Sequence, residues 1–482
     1  MEVVVHLLES YSSIDRQLPP AILAGIESEL SYFIKGAQYS QAYQEGRWDG
    51  KKKLFSTVTR KFPTGLISRV IKFLKKEGYI VEVLDHRAKP LKVFDVPFDF
   101  KHTIRPFQLE TVAKAIEASR GLIHVATGLG KTLTALKIAQ ELGTRSLFIV
   151  NTKEALEDTA AAADEYFGKK YVGVYGGSHK RSGIMLDIAT AATAYSWFKR
   201  NPDRLIKEGY NCLFLDEVHR VGSDSWYTIA LNINAFYKFG LTGTPYRTDN
   251  AEILLQAATG KTLVSFDTKF GQKEGFLVDS KVYFVRIDEP KTLLARLNKD
   301  EVYQYGIVEN EHRNKAVVSI VKKHLNQTKL IVVEKIEHGE LLLEEVKKVD
   351  PTAVFVSGSS KNRTQIKADF CDGTLKTVIA TRIYNESANI PILEVVINAA
   401  GFKSGNQVIQ RIGRALRPHI GKVGAVVYDF YDTFNNMLLS HAESRTGTIK
   451  KEGHSLEYLD YDLNTIGEDN LDVEEDFTFI FS

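Results

Sequence analysis

The run Thr127-Gly128-Leu129-Gly130-Lys131-Thr132 carries the residue types that hold a chain of phosphates. It follows the apolar segment GLIHVA and opens the amphipathic KTLTALKIAQEL, so its glycines fall at a strand-to-helix turn. Gly128 and Gly130 let backbone N–H groups turn inward at close range, and the helix start adds about half a positive charge. Lys131 is placed to reach β- and γ-phosphates, and the Thr132 hydroxyl to ligate Mg2+. Such loops usually begin with a small residue; here that position is Val125, one departure from the pattern. A bare glycine turn beside a surface lysine is the bland alternative, and the strand-turn-helix context disfavours it.

Two further constellations belong with this loop. Asp216-Glu217 closes the apolar run NCLFLDE, and a carboxylate at the end of a buried parallel strand faces the crevice beside a phosphate loop. Asp216 is then the Mg2+ ligand, directly or through water, and Glu217 the base that orients and deprotonates an attacking water. Alone, such a pair is more often structural. The third is Gln407-x-x-Gln410-Arg411-x-Gly413-Arg414-x-x-Arg417. Gly413 should break a solvated helix face, so the cluster reads better as an arginine-finger element than as a basic surface helix. Gln410, Arg414 and Arg417 would face a γ-phosphate across a cleft.

These residues need elements to hold them. From about residue 96 short apolar runs alternate with amphipathic stretches, and after about 265 the pattern restarts with LIVVE, AVFVSG, KTVIAT, EVVINAA and AVVYDF. That alternation predicts α/β architecture with parallel strands and crossover helices. The organisation expected is a small α+β domain over 1–95, two α/β domains over 96–265 and 266–440, and an acidic tail over 441–482. In the first, EVVVHLL predicts a strand, Pro19-Pro20 opens a helix reaching Ala37, and KKKLFSTVTRKF is a basic strand. HRAKPLKVFDVPFDF is a linker.

Charge is uneven although the net is only +3. Residues 47–76 hold ten Lys/Arg against the single acid Asp49, while 441–482 hold three basic residues against eleven acidic ones. The first run suits a polyanion such as DNA, through Arg47, Lys51, Lys52 and Lys53. Trp48 is a candidate to stack on a base, although it, Phe62 and Phe73 fit core positions better. The tail GEDNLDVEEDFTFIF would dock a partner such as a replication or recombination protein, shield a DNA groove, or merely solvate the chain end. Cys212 and Cys371 read as free, buried thiols of a reducing compartment. No leader pattern and no apolar span of about 20 residues is present, so a soluble intracellular protein is expected, without a membrane partner.

Together the motifs resemble those of superfamily 2 helicases over most of 100–432. Arg105-Pro106-Phe107-Gln108 looks like the adenine-reading motif, which gives Arg105 and Gln108 to the nucleotide along with Thr127, Gly128, Gly130, Lys131 and Thr132. Val150-Asn151-Thr152 looks like a nucleic-acid-contacting motif, and Leu241-Thr242-Gly243-Thr244-Pro245, with Arg247 after it, like the motif that couples the ATP site to the strand. Val378-Ile379-Ala380-Thr381 through Ile390-Pro391 looks like the fifth motif, with Ser387 and Asn389 where Gly and Asp are usual. The resemblance implies two tandem RecA-like parallel-sheet domains that close on ATP and Mg2+.

Arg47-Trp48-Asp49-Gly50, Pro63-Thr64-Gly65-Leu66, Asn310 to Asn314 (NEHRN) and Glu337-His338-Gly339 narrow the resemblance to UvsW-type branch-migration helicases of tailed bacteriophages. It implies 3′-to-5′ movement on forks, D-loops, R-loops with their RNA–DNA hybrids, and four-way junctions, in the host cytoplasm. Three alternatives stay open. One is an RNA helicase. Another is the motor of a nuclease system, on the faint pattern of Asp279 with Glu289-Pro290-Lys291. The third is a non-catalytic annealing module, which the intact Lys131, Asp216, Glu217, Arg414 and Arg417 disfavour.

Overall fold

The computed structural model describes residues 1–15, 18–96, 104–202, 208–219, 224–243, 252–287, 297–381, 390–403 and 405–461, without the side chains at 224, 406, 407, 410, 411 and 414. Contacts divide the chain into two units, Met1–Asp267 and the part from Thr268 onward. Among the described residues no helix is long and apolar enough to cross a membrane.

The first unit holds two sheets with a common core, and a two-stranded ribbon. The N-terminal sheet has the order β5-β2-β1-β6, from β1 (Glu2–Leu7), β2 (Tyr11–Ile14), β5 (Lys61–Pro63) and β6 (Ile80–Asp85). β3 (Ser31–Phe33) and β4 (Lys51–Lys53) form the ribbon. The helix expected to reach Ala37 ends at Glu29, and the chain turns into β3. The basic stretch 51–62 is likewise two short strands joined by a turn rather than one strand. Val3, Val5, Phe62, Leu66, Val70 and Leu74 of this α+β part share one core with Leu122, Leu147, Leu213, Trp226 and Leu254 of the α/β part.

The α/β part is an eight-stranded sheet, β10-β9-β11-β8-β12-β13-β7-β14. Its strands are β7 (Arg120–Val125), β8 (Ser146–Val150), β9 (Val172–Gly176), β10 (His179–Arg181), β11 (Leu186–Thr190), β12 (Cys212–Leu215), β13 (Tyr237–Thr242) and β14 (Thr262–Phe266). All pair in parallel except β10. The expected linker does not hang free before residue 97. Val93 and Phe94 donate backbone bonds to the Gly143 carbonyl, and Arg87 lies 4.5 Å over the Phe236 ring.

The second unit is a seven-stranded, wholly parallel sheet, β17-β18-β16-β19-β20-β15-β21. These are β15 (Asp279–Ile287), β16 (Lys329–Val332), β17 (Val354–Val356), β18 (Thr377–Ala380), β19 (Val395–Asn398), β20 (Gly424–Asp432) and β21 (Leu456–Asp460). The acidic segment expected as a tail from 441 is folded up to residue 461. The helix Asn436–Lys451 packs on β20, and β21 adds a strand beside β15. Arg445 explains why: its buried guanidinium bonds Asp429 and the Phe402 and Phe430 carbonyls. Residues 462–482 lie outside the described residues.

Candidate active site

β7 is buried along its whole length and delivers Ala126 and Thr127 to the end of the sheet. Gly128 (φ 92°) and Gly130 (φ 87°) then turn the chain into the helix Lys131–Leu142, with Gly130 at its N-cap. A side chain at Gly130 would strike the Gln108 amide, which donates from Nε2 to the Leu129 and Gly130 carbonyls at 3.3 and 3.4 Å. The other end of that amide accepts the Arg105 backbone N–H at 3.0 Å. In this conformation Gln108 therefore clamps the phosphate loop. Arg105 stands beside it, and burial lowers its guanidinium from the ordinary value.

β12 delivers Asp216 and Glu217 to the same end of the sheet. Glu217 has φ 48°, a left-handed conformation that costs a side-chain-bearing residue roughly 1–2 kcal/mol. Its N–H donates to Asp216 Oδ1 at 3.0 Å, which holds the turn. Lys131 Nζ lies 4.0 Å from Glu217 Oε1. Burial, and next the neighbouring Glu217, push the Asp216 carboxyl well above the usual carboxylate range, against the pull of Lys131.

Beyond the phosphate loop and the carboxylate pair, the fold brings further groups to this place, of which His124 and Ser265 were not singled out from sequence. His219 Nδ1 lies 3.3 Å from Glu217 Oε2 and 3.4 Å from Thr242 Oγ1, so it links the carboxylate turn to the end of β13. His124, near the end of β7, meets the Gly243 carbonyl through Nε2 at 3.3 Å and Ser265 Oγ through Nδ1 at 2.7 Å. The carbonyl only accepts, so Nε2 carries the proton and Ser265 donates to Nδ1. Burial lowers the His124 pKa, which keeps the ring neutral. Gly243, from the Leu241–Pro245 motif, borders the same place: a β-carbon there would lie 2.9 Å from Thr127 Oγ1 and 3.1 Å from Lys131 Nζ.

The residues fit a nucleotide and a cation. Among the described residues Thr127 Oγ1 is buried without a hydrogen-bond partner, and Asp216 is an enclosed carboxylate whose burial outweighs the pull of Lys131. A phosphate oxygen and a divalent ion would satisfy these two groups. Thr132 stands on the first turn of the same helix.

Other expected residues fall at separate places. Asn151 and Thr152 follow β8, where Thr152 caps the helix Lys153–Phe167 by accepting the Ala155 N–H at 3.1 Å. Thr190 caps the helix Ala191–Arg200 in the same way after β11. Arg247, Glu289, Lys291, Ser387 and Asn389 lie outside the described residues, as do the side chains of Gln410 and Arg414. The helix Gly405–Ala415 runs through Gly413, which therefore does not break it. Its packing on the helix Asn436–Lys451 offsets the roughly 1 kcal/mol that an interior glycine costs. Arg417 is half-buried, and Lys422 Nζ donates to its carbonyl and to those of Ala415 and Pro391. Cys212 is buried as expected, but Cys371 is only partly so, and both thiols are free.

In the N-terminal domain Arg47, Trp48, Lys51, Lys52 and Lys53 line an open basin of about 650 Å³ with Ile34, Gly46 and Asp49. Trp48 is half-buried and donates its indole N–H to the Lys51 carbonyl at 2.9 Å, whereas Phe62 is core. The charges are partly matched: Arg47 pairs with Glu45, Lys53 with Glu27 at 2.7 Å, and Lys52 sits 5.5 Å over the Tyr227 ring.

Three family models match successive parts of the chain. Residues 3–84 match the family "DNA helicase UvsW, N-terminal", residues 101–247 match "Type III restriction enzyme, res subunit", and residues 312–419 match "Helicase conserved C-terminal domain". The chain is 22% identical to the ATP-dependent DNA helicase uvsW of Enterobacteria phage T4, over 95% of both chains. It is 25% identical to the DNA 3′-5′ translocase XPB2 of Sulfurisphaera tokodaii, over 80% of this chain and 93% of that one. Among solved structures, a fragment of a putative HsdR subunit of a type I restriction enzyme from Vibrio vulnificus superposes with a TM-score of 0.58 at 16% identity, covering 87% of this chain and 83% of that one. That likeness shows the fold: two tandem RecA-like lobes. With a UvsW-type N-terminal match ahead of both helicase-lobe matches, the chain is an ATP-dependent helicase that resembles UvsW among the superfamily 2 helicases.

Proposed function

We propose that this helicase acts on branched DNA and moves 3′ to 5′, unwinding or branch-migrating forks, D-loops, R-loops and four-way junctions in phage replication, recombination or repair. The observation that carries the reading is the UvsW-type N-terminal domain, whose basic basin is built onto the first lobe through a common core. A footprint fixed to the motor is what a branch-recognising translocase requires. Contacts to backbone phosphates there give affinity with little sequence preference.

ATP is held by the phosphate loop, with Gly128 and Gly130 turning backbone N–H groups inward and Lys131 beside the β- and γ-phosphates. Mg2+, when bound through Thr132 and Asp216, neutralises charge on those phosphates. Glu217 orients the attacking water and takes its proton, and His219 holds Glu217 in place. On this reading Gln410, Arg414 and Arg417 stabilise the charge that develops on the γ-phosphate. Asn151, Thr152 and Arg247 contact the strand.

The test is a panel of fork, D-loop, R-loop, four-way-junction and RNA-duplex substrates, with ATP and with a non-hydrolysable analogue. Preferential remodelling of the branched DNAs is expected. Equal or better action on linear RNA duplexes would replace the reading with that of an RNA helicase. Deleting residues 1–95 would expose the common core, so the footprint is tested instead by Lys51, Lys52 and Lys53→Ala, which should weaken junction binding and flatten its salt dependence.

A further inference from the structure

The N-terminal domain grips the polypeptide on both sides of the Thr242-Gly243 turn. One side is β13. Lys238, its second residue, is buried at the junction and donates from Nζ to Ser10 Oγ and to the Ala230 carbonyl, both at 2.9 Å. The other end of β13 is the turn that lies against Lys131 and Thr127. The second flank is the helix Glu252–Thr259. The turn Thr64–Leu66 packs on it so closely that a β-carbon on Gly65 would collide with the Gln256 carbonyl oxygen. Arg69 Nε also donates to Gln256 Oε1 at 2.6 Å. That helix lies on β7 and β13, the strands that lead to the phosphate loop and to Gly243. Gly240 of β13 would, with a β-carbon, meet the Thr259 methyl at 2.9 Å. Contacts this tight pass a displacement on rather than absorb it.

We propose that the N-terminal domain is a regulatory element of the ATP site: DNA seated on its basic basin shifts the helix Glu252–Thr259 and β13, and so sets the Gly243 turn against Lys131 and Thr127. Branch recognition then governs the rate of ATP turnover. This rests on the reading of the basin as the DNA footprint. Gln256 is the positioning residue, since it acts through the helix.

The experiment uses full-length Gln256→Ala, Gln256→Glu and Gly65→Ala proteins and a synthetic four-way junction. ATP turnover is measured without DNA and at saturating junction, and junction affinity by anisotropy. For Gln256→Ala, DNA-free turnover and junction affinity should stay within about twofold of the native chain, while junction-saturated kcat falls by roughly fivefold or more. Gln256→Glu keeps an oxygen for Arg69 and should restore the stimulation. Gly65→Ala should repeat the loss, and if it fails to fold, the Gln256 pair decides. Unchanged saturated kcat in Gln256→Ala overturns the coupling, whether or not affinity falls. Unchanged junction affinity in the Lys51, Lys52 and Lys53→Ala protein instead overturns the footprint.

Discussion

Gly243 and Lys131 approach so closely that a β-carbon on the glycine would lie 3.1 Å from the lysine ammonium. The strand end of β13 thus sets the space in which the phosphate-binding lysine works. Gly243→Ala is expected to displace Lys131 and lower kcat by about 10²-fold, as small misplacements of catalytic groups do, with the melting temperature little changed. Steady-state ATP hydrolysis beside a thermal melt checks this; native turnover in a folded variant would refute the steric argument.

Lys131→Ala should abolish ATP hydrolysis while junction binding survives, because the loop and the basic basin lie on separate parts of the first unit. Retained turnover would remove Lys131 from the phosphate site.

Glu217→Gln should bind ATP and fail to hydrolyse it. The amide keeps the shape and the contact to His219 but cannot take a proton from water. A filter assay for retained nucleotide should show a long-lived complex, and normal hydrolysis would assign the base elsewhere.

Asp216 gives a pH dependence of known sign. Its folded pKa is raised, first by burial and then by Glu217. Its contribution to stability is therefore full below the unfolded value of about 3.9 and is lost as pH rises through the raised folded value. Ligand-free protein should lose stability across that window in urea unfolding, and Asp216→Asn should lose that slope. Mg2+ with ATP requires the ionised carboxylate, so binding should release a proton and tighten as pH rises. Calorimetry in two buffers of different ionisation enthalpy reads that proton; identical heats would remove Asp216 from the cation site.

Arg445→Met should destabilise the second unit by about 3–5 kcal/mol, because it leaves Asp429 buried and uncompensated. Denaturant unfolding measures it. A variant as stable as the native chain would show that the helix Asn436–Lys451 is held by packing alone.

The sequence determined by itself what is local. Phosphate loop, carboxylate pair and alternating α/β texture are each written in contiguous residues, because a strand-turn-helix places its own glycines and lysine without help from the rest of the chain. The boundaries of short strands such as β3 and β4 were less legible, because pairing rather than propensity ends them. What needed the tertiary structure is what the sheet order brings together. β7, β12 and β13 lie far apart in sequence, yet their ends meet, and only there does His124 acquire a role and do His219 and Gly243 find their partners. The N-terminal basic run announced a charge, but its neighbours Glu27, Glu45 and Tyr227 decided how much of that charge is matched. Burial likewise made residues 441–461 part of a lobe, since composition reports charge but not which arginine reaches a buried aspartate. Local chemistry follows from neighbours in the chain; the coupling of the N-terminal domain to the Gly243 turn follows only from neighbours in space.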